Sequence, residues 1–341
     1  MPFSTKKITT IYDLAQIAEV SPSTVSAILN GTWQKRRISE ETVKRVLALV
    51  DTHGFSINRQ ASGLRKRKSD MIGMLIPEHQ NNFFGSMANR FTKLARERNW
   101  CPIVVSTLRD TETELATVKT LISYKIDYLV VTGATDPDAI SSICKANRLK
   151  QINVDLPGHN APSVVSNNYT GAYDLTKHLI QKAKQIQHKA AVKPEIVFFG
   201  GNKADFATTE RLKGFYASLK DSTESELTHK EIICGYDAIS AFEAIASLHQ
   251  ANHALPASLL INSASVLEGV LKYLGQLPTE VLEKCVLGSY DWEPYQQFFK
   301  QPISMVRQDT DAILDEVFRI IDEEDFSDLR VTEIPPELLL V

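Results

Sequence analysis

The 341-residue sequence has little cysteine and no long uninterrupted apolar run. Its four cysteines are far apart, with no C-x-x-C pair and no cluster of metal-ligand residues, so they indicate buried thiols in a reducing compartment and no structural metal. No segment offers about eighteen successive apolar residues, and no apolar core follows the charged N-terminus. These absences predict a cytoplasmic protein that is neither secreted nor membrane-spanning.

Enzyme signatures are also missing. The glycines of "FFGGNKAD" follow an apolar run but form neither G-x-G-x-x-G nor G-x-x-x-x-G-K-S/T, and neither H-E-x-x-H nor G-x-S-x-G occurs. The sequence therefore predicts no catalytic residue, no cofactor and no enzymatic activity. An α/β oxidoreductase or kinase is the rival interpretation, and it would need a cofactor loop.

Charge is divided unevenly along the chain. Residues 1–70 contain 12 Lys and Arg against 6 Asp and Glu, whereas the other residues contain 26 against 35. A basic end on an acidic body indicates a polyanionic partner for that end. A charged end that is merely solvated is the alternative.

The basic end predicts three short helices. Thr10 and Asp13 form a capping box for the first helix, and Ser21 and Pro22 are the N-cap and first residue of the second. Ser39 caps the third, whose core stripe consists of Val43, Val46, Leu47 and Val50.

Two short helices joined by a tight turn and covered by a third form a helix-turn-helix head, which we assign to residues 1–56. A helix in the major groove needs small or hydrogen-bonding side chains outside, while Lys and Arg bind phosphates. The outward positions of the second helix are then Pro22, Ser23, Ser26 and Ala27. Further DNA contacts are expected from Tyr12, Ser21, Thr24, Asn30, Arg36 and Arg37. A three-helix bundle without a DNA role is the alternative.

The next segment, "INRQASGLRKRKS", is basic and contains no acid. It predicts a hinge at residues 57–70 that becomes helical only on DNA, because so short a helix containing Gly63 is marginal alone. Leu64 then inserts between base pairs in the minor groove. The other expected hinge contacts are Asn58, Arg59, Ala61 and Arg65.

Three motifs occur in order: "TIYDLAQIAEVSPSTVSAILNG", "RRISEETVKRVLALVDTHGF" and "NRQASGLRKRKSDMIGMLIPE". Together they resemble the head, hinge and first body strand of the LacI/GalR family of bacterial transcription regulators. The segments "NGTWQKRRIS", "FFGG" and "VLEGVLKYL" are most similar to the fructose-regulator and sucrose-repressor branch of that family.

In residues 71–341, nine apolar runs alternate with helical patterns, which favours parallel sheets covered on both faces and divided between two doubly wound subdomains. The fold class is α/β, with a small all-α head. The resemblance implies a body like a periplasmic sugar-binding protein, with chain crossings near Asn167, Tyr290 and Phe326. One subdomain then holds about 71–166 and 302–325, and the other about 167–290 and 326–341.

Ligands of such sheets bind at the carboxyl ends of the strands. The candidate effector residues there are Asn82, Phe84, Asp155, Arg211, Ser263, Asp291 and Trp292. They suit a sugar, since carboxylates and guanidinium groups pair with hydroxyls and aromatic rings pack on C–H faces. The resemblance carries effector binding onto Asp155, Arg211 and Asp291.

Alternatives stay open for these residues. Arg211 and Asp291 could form a structural ion pair, Phe83 and Phe84 could be core, and Trp292 could pack at the domain seam. With a phosphorylated sugar, the phosphate would meet Arg109, Lys203 or Arg211.

The sequence thus predicts a homodimeric repressor of sugar-utilisation genes, associated with the nucleoid. It binds a near-palindromic operator and is released by a sugar or sugar phosphate between the subdomains. The final "TEIPPELLLV" lacks heptads, which favours a dimer over a tetramer. A sugar-binding protein without a DNA role, and a regulator whose ligand is a corepressor, are the alternatives.

Overall fold

The computed structural model describes residues 10–55, 68–187, 194–222, 227–294 and 301–341. The chain divides into two compact units, Met1–Ser69 and Asp70–Val341, which we call the head and the body. Most of the predicted hinge lies outside the described residues, including the expected DNA contacts Asn58, Arg59, Ala61, Leu64 and Arg65.

The head contains the three predicted helices, α1 (Ile11–Ile17), α2 (Pro22–Leu29) and α3 (Glu40–His53). Each begins at its predicted N-cap, because the side chains of Thr10, Ser21 and Ser39 accept hydrogen bonds from main-chain N–H groups three residues later. A capped first turn leaves fewer N–H groups unpaired, so even two-turn helices persist once their apolar faces pack. Leu14 and Val25 are fully buried in the shared core.

Two predicted positions in the head were wrong. Ala27, expected on the outward face of α2, exposes only 4% of its surface. Its main-chain oxygen accepts hydrogen bonds from the N–H (2.9 Å) and hydroxyl (3.3 Å) of Thr32, so the turn after α2 covers this side. Leu47, expected in the core stripe of α3, is 43% exposed, because the buried stripe runs through Val43 and Val46.

The strands of the body form two six-stranded sheets within the described residues. The first sheet has the order β11-β5-β4-β3-β1-β2 and the second the order β12-β10-β9-β8-β6-β7, and all neighbours are parallel except β10 and β12. The first consists of β1 (Met71–Ile76), β2 (Cys101–Ser106), β3 (Tyr128–Thr132), β4 (Lys150–Val154), β5 (Ser163–Ser166) and β11 (Val331–Ile334). The second consists of β6 (Glu195–Phe199), β7 (Thr228–Ile232), β8 (Ser258–Ile261), β9 (Val286–Tyr290), β10 (Ile303–Arg307) and β12 (Glu337–Leu339).

Helices follow most of these strands and cover both faces of each sheet. Their bounds are Asn82–Glu97, Thr111–Ser123, Pro137–Ala146, Asn168–Gln187, Phe206–Asp221, Ala238–Asn252, Ala264–Leu274, Thr279–Leu282 and Thr310–Asp322. On one face of the first sheet, the ring centroids of Phe91 and Phe318 lie 5.8 Å apart, and on the other Val118, Leu121 and Ile140 are buried. The predicted α/β class with two doubly wound subdomains is confirmed.

The chain crosses between the sheets at places that differ in part from the prediction. β5 ends at Ser166 in the first sheet, so the first crossing lies near Asn167. The crossings expected near Tyr290 and Phe326 were wrong. β10 pairs with β9 in the second sheet, and the later strands β11 and β12 join the first and second sheets. The second and third crossings therefore follow Arg307 and Ile334, because strand pairing continues beyond the predicted boundaries.

Candidate functional site

The first candidate site is the N-terminal end of α2. Ser21 Oγ lies 2.7 Å from Ser23 Oγ and 2.8 Å from Thr24 Oγ1, and the Thr24 N–H donates to Ser21 Oγ at 3.1 Å. Ser21 and Ser23 are exposed, while Pro22 at the first helical position is half-buried. Three hydroxyl groups are therefore gathered at the positive end of a helix, where neutral and anionic acceptors bind favourably.

The C-terminal end of α2 holds two more predicted DNA contacts. The Asn30 amide nitrogen donates to the main-chain oxygen of Ser26 at 2.7 Å and to its hydroxyl at 3.2 Å. This bond fixes the amide against the helix, with Asn30 exposed. Tyr12 on α1 is 72% exposed, and Arg36 and Arg37 are exposed in the loop before α3. The head thus presents hydroxyl, amide and guanidinium groups to solvent.

The second candidate site is a cleft of about 70 Å³ in the body, which we call the main cleft. Residues that follow strands of both sheets meet there: Asp155 follows β4, Ser263 lies just past β8, and Asp291 follows β9. The lining residues are Glu78, Asn81, Phe83, Phe84, Arg109, Asp155, Leu156, Asp205, Ala207, Arg211, Tyr236, Ser263, Ser265, Asp291 and Gln308. Five of the seven predicted effector residues are brought together here, namely Phe84, Asp155, Arg211, Ser263 and Asp291.

Arg211 is buried, with 3% of its surface exposed. Its Nε donates to Asn168 Oδ1 at 2.8 Å, its Nη1 donates to the main-chain oxygen of Asn262, and its Cζ lies 3.8 Å from the ring centroid of Tyr290. These contacts hold the guanidinium in place through partners other than Asp291. The alternative of a structural Arg211–Asp291 ion pair is therefore not what the structure contains.

Asp155 is 8% exposed. Burial raises the pKa of its carboxyl group to about 6, while the positive charges of Arg109 and Arg211 oppose that rise. Among the described residues, no group donates a hydrogen bond to this carboxylate. Its backbone has φ 71°, a left-handed conformation that residues other than glycine rarely adopt and that is frequent at binding sites.

Asp291 adopts the same kind of conformation, with φ 66°. Its Oδ1 accepts a 2.7 Å hydrogen bond from Gln308 Nε2, and its Oδ2 accepts one of 3.4 Å from the Ala264 N–H. Ala264 begins the helix Ala264–Leu274, so the positive end of that helix stabilises the negative charge. Ser263 is the N-cap of the same helix, and its hydroxyl accepts a hydrogen bond from the Val266 N–H.

Asn82 and Trp292 line a neighbouring cleft of about 290 Å³, which shares Phe83, Asp291 and Gln308 with the main cleft. The Asn82 amide nitrogen donates to the carboxylate of Glu293, which is 4% exposed. Trp292 is 36% exposed and lies beside Arg307, whose Cζ is 5.7 Å from its ring centroid. These two predicted effector residues thus line the neighbouring cleft and not the main cleft, and Asp291 is the predicted residue that lines both.

Sequence reasoning missed several residues of the main cleft. Arg109 was considered only as a phosphate ligand, yet its Cζ lies 5.7 Å from the ring centroids of both Phe84 and Tyr236. Tyr236 donates from its hydroxyl to Asp205 Oδ2 at 2.7 Å. Asp205 carried a usable signal, because it is the N-cap of the helix that contains Arg211. Lys203, the third phosphate candidate, instead pairs with Glu231 on the surface.

Two further properties concern the described part of the chain. No helix in it is long and apolar enough to cross a bilayer. It contains no group of three or more His, Cys, Asp or Glu side chains that could hold a metal ion.

Comparison with known families decides the identity. Residues 69–276 match the family "Periplasmic binding proteins and sugar binding domain of LacI family", and residues 10–58 match "Bacterial regulatory proteins, lacI family". The chain belongs to the LacI family. It is therefore a bacterial regulatory protein and not an enzyme, and the family resemblance read from its three motifs is confirmed.

Named relatives agree with this LacI-family assignment. The chain is 47% identical to the ribitol operon repressor of Klebsiella aerogenes over 199 residues, which are 58% of this chain and 72% of the relative. It is 25% identical to the fructose operon regulatory protein of Vibrio cholerae over 311 residues, 90% of this chain and 91% of the relative.

The fold of this LacI-family chain is also that of solved structures. The lac repressor dimer bound to operator and the anti-inducer ONPF matches it with a TM-score of 0.79 at 17% identity, covering 98% of both chains. At that identity the likeness concerns the fold, and it confirms the predicted combination of a helical head with a periplasmic-binding-protein-like body.

Proposed function

We propose that this protein represses an operon for the use of a sugar or a polyol, and that a small effector bound in the main cleft controls its affinity for operator DNA. Membership of the LacI family and the relative named as a ribitol operon repressor support this proposal. The observation that carries it is the joining, in one chain, of a capped helix-turn-helix head with a body cleft lined from both sheets.

In this proposal two copies of the chain bind the two halves of a near-palindromic operator. The hydroxyls of Ser21, Ser23 and Thr24, with Ser26 and Asn30, approach base edges and nearby phosphates, and Arg36 and Arg37 bind phosphates. Pro22 and Tyr12 complete the contact surface. Ala27, being covered by the turn after α2, contributes shape rather than a hydrogen bond.

Asp155, Arg211, Ser263 and Asp291 bind the hydroxyl groups of the effector, and Phe84 packs on its C–H face. Asn82 and Trp292 lie beside this site and respond to closure of the two subdomains. Closure changes the relative orientation of the two copies and thereby releases the operator. The coupling free energy between effector binding and operator binding is about 1–3 kcal/mol. The regulator works in the cytoplasm, at the nucleoid.

Selection of genomic DNA by the full-length protein tests this function. The protein is mixed with sheared genomic fragments at moderate salt, and the retained fragments are sequenced with and without added sugars and polyols. We expect one or a few fragments with an inverted repeat, released by one class of compound. Equal retention of all fragments under every condition would contradict the proposal, and a compound that tightens retention would favour the corepressor alternative.

Arg36 and Arg37 offer a sharper test of DNA binding. Replacing either arginine with Ala is expected to weaken binding to every DNA sequence by a similar factor. It is also expected to lower the slope of log affinity against log salt concentration by about 1, because one phosphate contact is lost. The variant Lys272→Ala is the matched control, because Lys272 is an exposed cation of the body paired with Glu268. An unchanged salt slope in both arginine variants would remove these residues from the interface.

Leu64 lies outside the described residues, and its insertion between base pairs stays a prediction. Leu64→Ala is expected to weaken operator binding far more than non-specific binding, since the side chain inserts between base pairs only where the operator is kinked. Equal losses for both kinds of DNA would eliminate this role.

A further inference from the structure

The lining of the main cleft carries more negative than positive side chains. Four carboxylates line it, from Glu78, Asp155, Asp205 and Asp291, against two guanidinium groups, from Arg109 and Arg211. A ligand that enters this cleft therefore meets an excess of negative charge at neutral pH. Such a site disfavours an anion, because like charges at close range in a partly buried space repel strongly.

Both guanidinium groups already have partners in the protein. Arg211 donates to Asn168 and to the main chain of Asn262, and its face covers the ring of Tyr290. Arg109 donates from Nη1 to the main-chain oxygen of Gly133 at 3.2 Å. These contacts hold both guanidinium groups on acceptors of the protein, so only the remaining N–H groups of each are left for a ligand.

Two acceptors of the cleft have no donor among the described residues. Among the described residues, nothing donates a hydrogen bond to the carboxylate of Asp155, which is 8% exposed. Gln308 donates its amide N–H to Asp291, and its own Oε1 is buried without a donor in that same part of the chain. Buried acceptors are stabilised by ligands that donate hydrogen bonds. Hydroxyl groups do so, whereas a fully ionised phosphate offers only acceptors.

We infer that the effector is an uncharged polyhydroxy compound, a sugar or a polyol, and that this cleft rejects its phosphate ester. The inference rests on the proposed function and narrows it to one of the two effector classes. Hydroxyl groups of the compound donate to Asp155 and to Gln308 Oε1. The four carboxylates then select against the additional negative charge of a phosphorylated ligand.

Matched pairs of compounds test this selection. The full-length protein is titrated by calorimetry at pH 7.5 with ribitol, D-ribulose, D-fructose and sucrose, and with ribitol 5-phosphate, D-ribulose 5-phosphate, fructose 1-phosphate and sucrose 6-phosphate. We expect at least one uncharged compound to bind. We expect its phosphate ester to bind at least about 30-fold more weakly. A phosphate ester that binds as tightly as its parent overturns the inference, as does a panel in which no uncharged member binds.

A separate measurement distinguishes this failure from failure of the proposed function. Retention of an operator fragment by the same protein reports the regulatory function whether or not a ligand is found. If the operator is retained and only phosphate esters bind, the regulator stands and the effector class is wrong. If no DNA fragment is preferred while an uncharged compound binds, the effector class stands and the DNA function is wrong.

The variant Asp155→Asn connects the selection to this residue. It removes one negative charge and one acceptor, so we expect weaker binding of the uncharged ligand together with about a 10-fold smaller preference over its phosphate ester. Asp136→Asn is the matched control, because Asp136 is an exposed N-cap of the same subdomain that Asn can replace. An unchanged preference in Asp155→Asn would overturn the role of its carboxylate, and the ligand pairs test the wild-type protein in any case.

Discussion

Arg109 and Tyr236 meet across the main cleft, with the guanidinium carbon 5.7 Å from the centroid of the phenol ring. Arg109 precedes the helix Thr111–Ser123 that covers the first sheet, and Tyr236 follows β7 of the second sheet. This cation–π contact is therefore made only when the two subdomains are close together. It gives the closed cleft a contact that does not depend on the ligand.

The contact between these residues predicts different effects for two substitutions of Tyr236. Tyr236→Leu removes the ring, so we expect effector affinity to fall by about 5-fold as closure becomes less favourable. Tyr236→Phe keeps the ring but loses the hydrogen bonds to Asp205 and Thr208, so it serves as the matched variant. Calorimetric titration with the bound ligand measures both. Equal effects would assign the role to the hydroxyl and not to the ring.

Asp155 predicts a pH dependence of stability. Burial raises the pKa of its carboxyl to about 6, against the opposing charges of Arg109 and Arg211 and with Asp291 and Asp205 adding to the rise. Between about pH 4 and pH 6 the folded state binds more protons at this site than the unfolded state does, so its contribution to stability falls as pH rises through that window. In the wild type this loss amounts to about 3 kcal/mol of the free energy of unfolding above pH 7. Asp155→Asn is expected to avoid it, because the amide does not ionise.

Thermal unfolding of the ligand-free protein from pH 4.5 to pH 8 measures this effect. The melting temperature of Asp155→Asn should exceed that of the wild type at pH 7.5 and approach it at pH 4.5. Asp136→Asn again provides the control, with parallel curves. A variant that is less stable than the wild type at pH 7.5 would mean that the ionised carboxylate stabilises the fold.

Ser21 predicts a measurable contribution from the cap of α2. Its hydroxyl accepts the Thr24 N–H, so Ser21→Ala leaves that donor unpaired and should lower the local stability of the head by about 1 kcal/mol. Ser21→Asn preserves the cap and should be close to wild type. Hydrogen–deuterium exchange of peptides from residues 10–55 measures local stability, and operator titration follows binding. Similar protection in both variants would show that capping by Ser21 is unimportant.

Gly214 predicts a steric limit between two helices of the second subdomain. A Cβ at this position would lie 2.2 Å from the main-chain oxygen of Tyr169. The helices Asn168–Gln187 and Phe206–Asp221 therefore pack at their observed distance only because residue 214 has no side chain. Gly214→Ala should destabilise the body by about 1–3 kcal/mol. Gly275→Ala is the control, because its nearest contact would be 3.3 Å and its backbone is right-handed. Urea unfolding compares them, and equal midpoints would refute the steric explanation.

Local sequence signals determined the head. The caps at Thr10, Ser21 and Ser39 and the apolar spacing between them specify three helices, because capping and helical periodicity act within a few residues. Burial of Ala27 did not follow from the same signals, since it depends on the turn at Thr32. Periodicity assigns a residue to a helix, but the neighbours of each face come from the packed structure.

The same division holds for the body and its cleft. Apolar runs predict the α/β class and place Asp155 and Asp291 at strand ends, because strand and helix periods are properties of the sequence itself. The pairing of β10 with β9, the meeting of Arg109 with Tyr236, and the separation of Asn82 and Trp292 from the main cleft were decided only by tertiary structure. These features join segments far apart in the chain, and their geometry depends on how two sheets and their covering helices pack together.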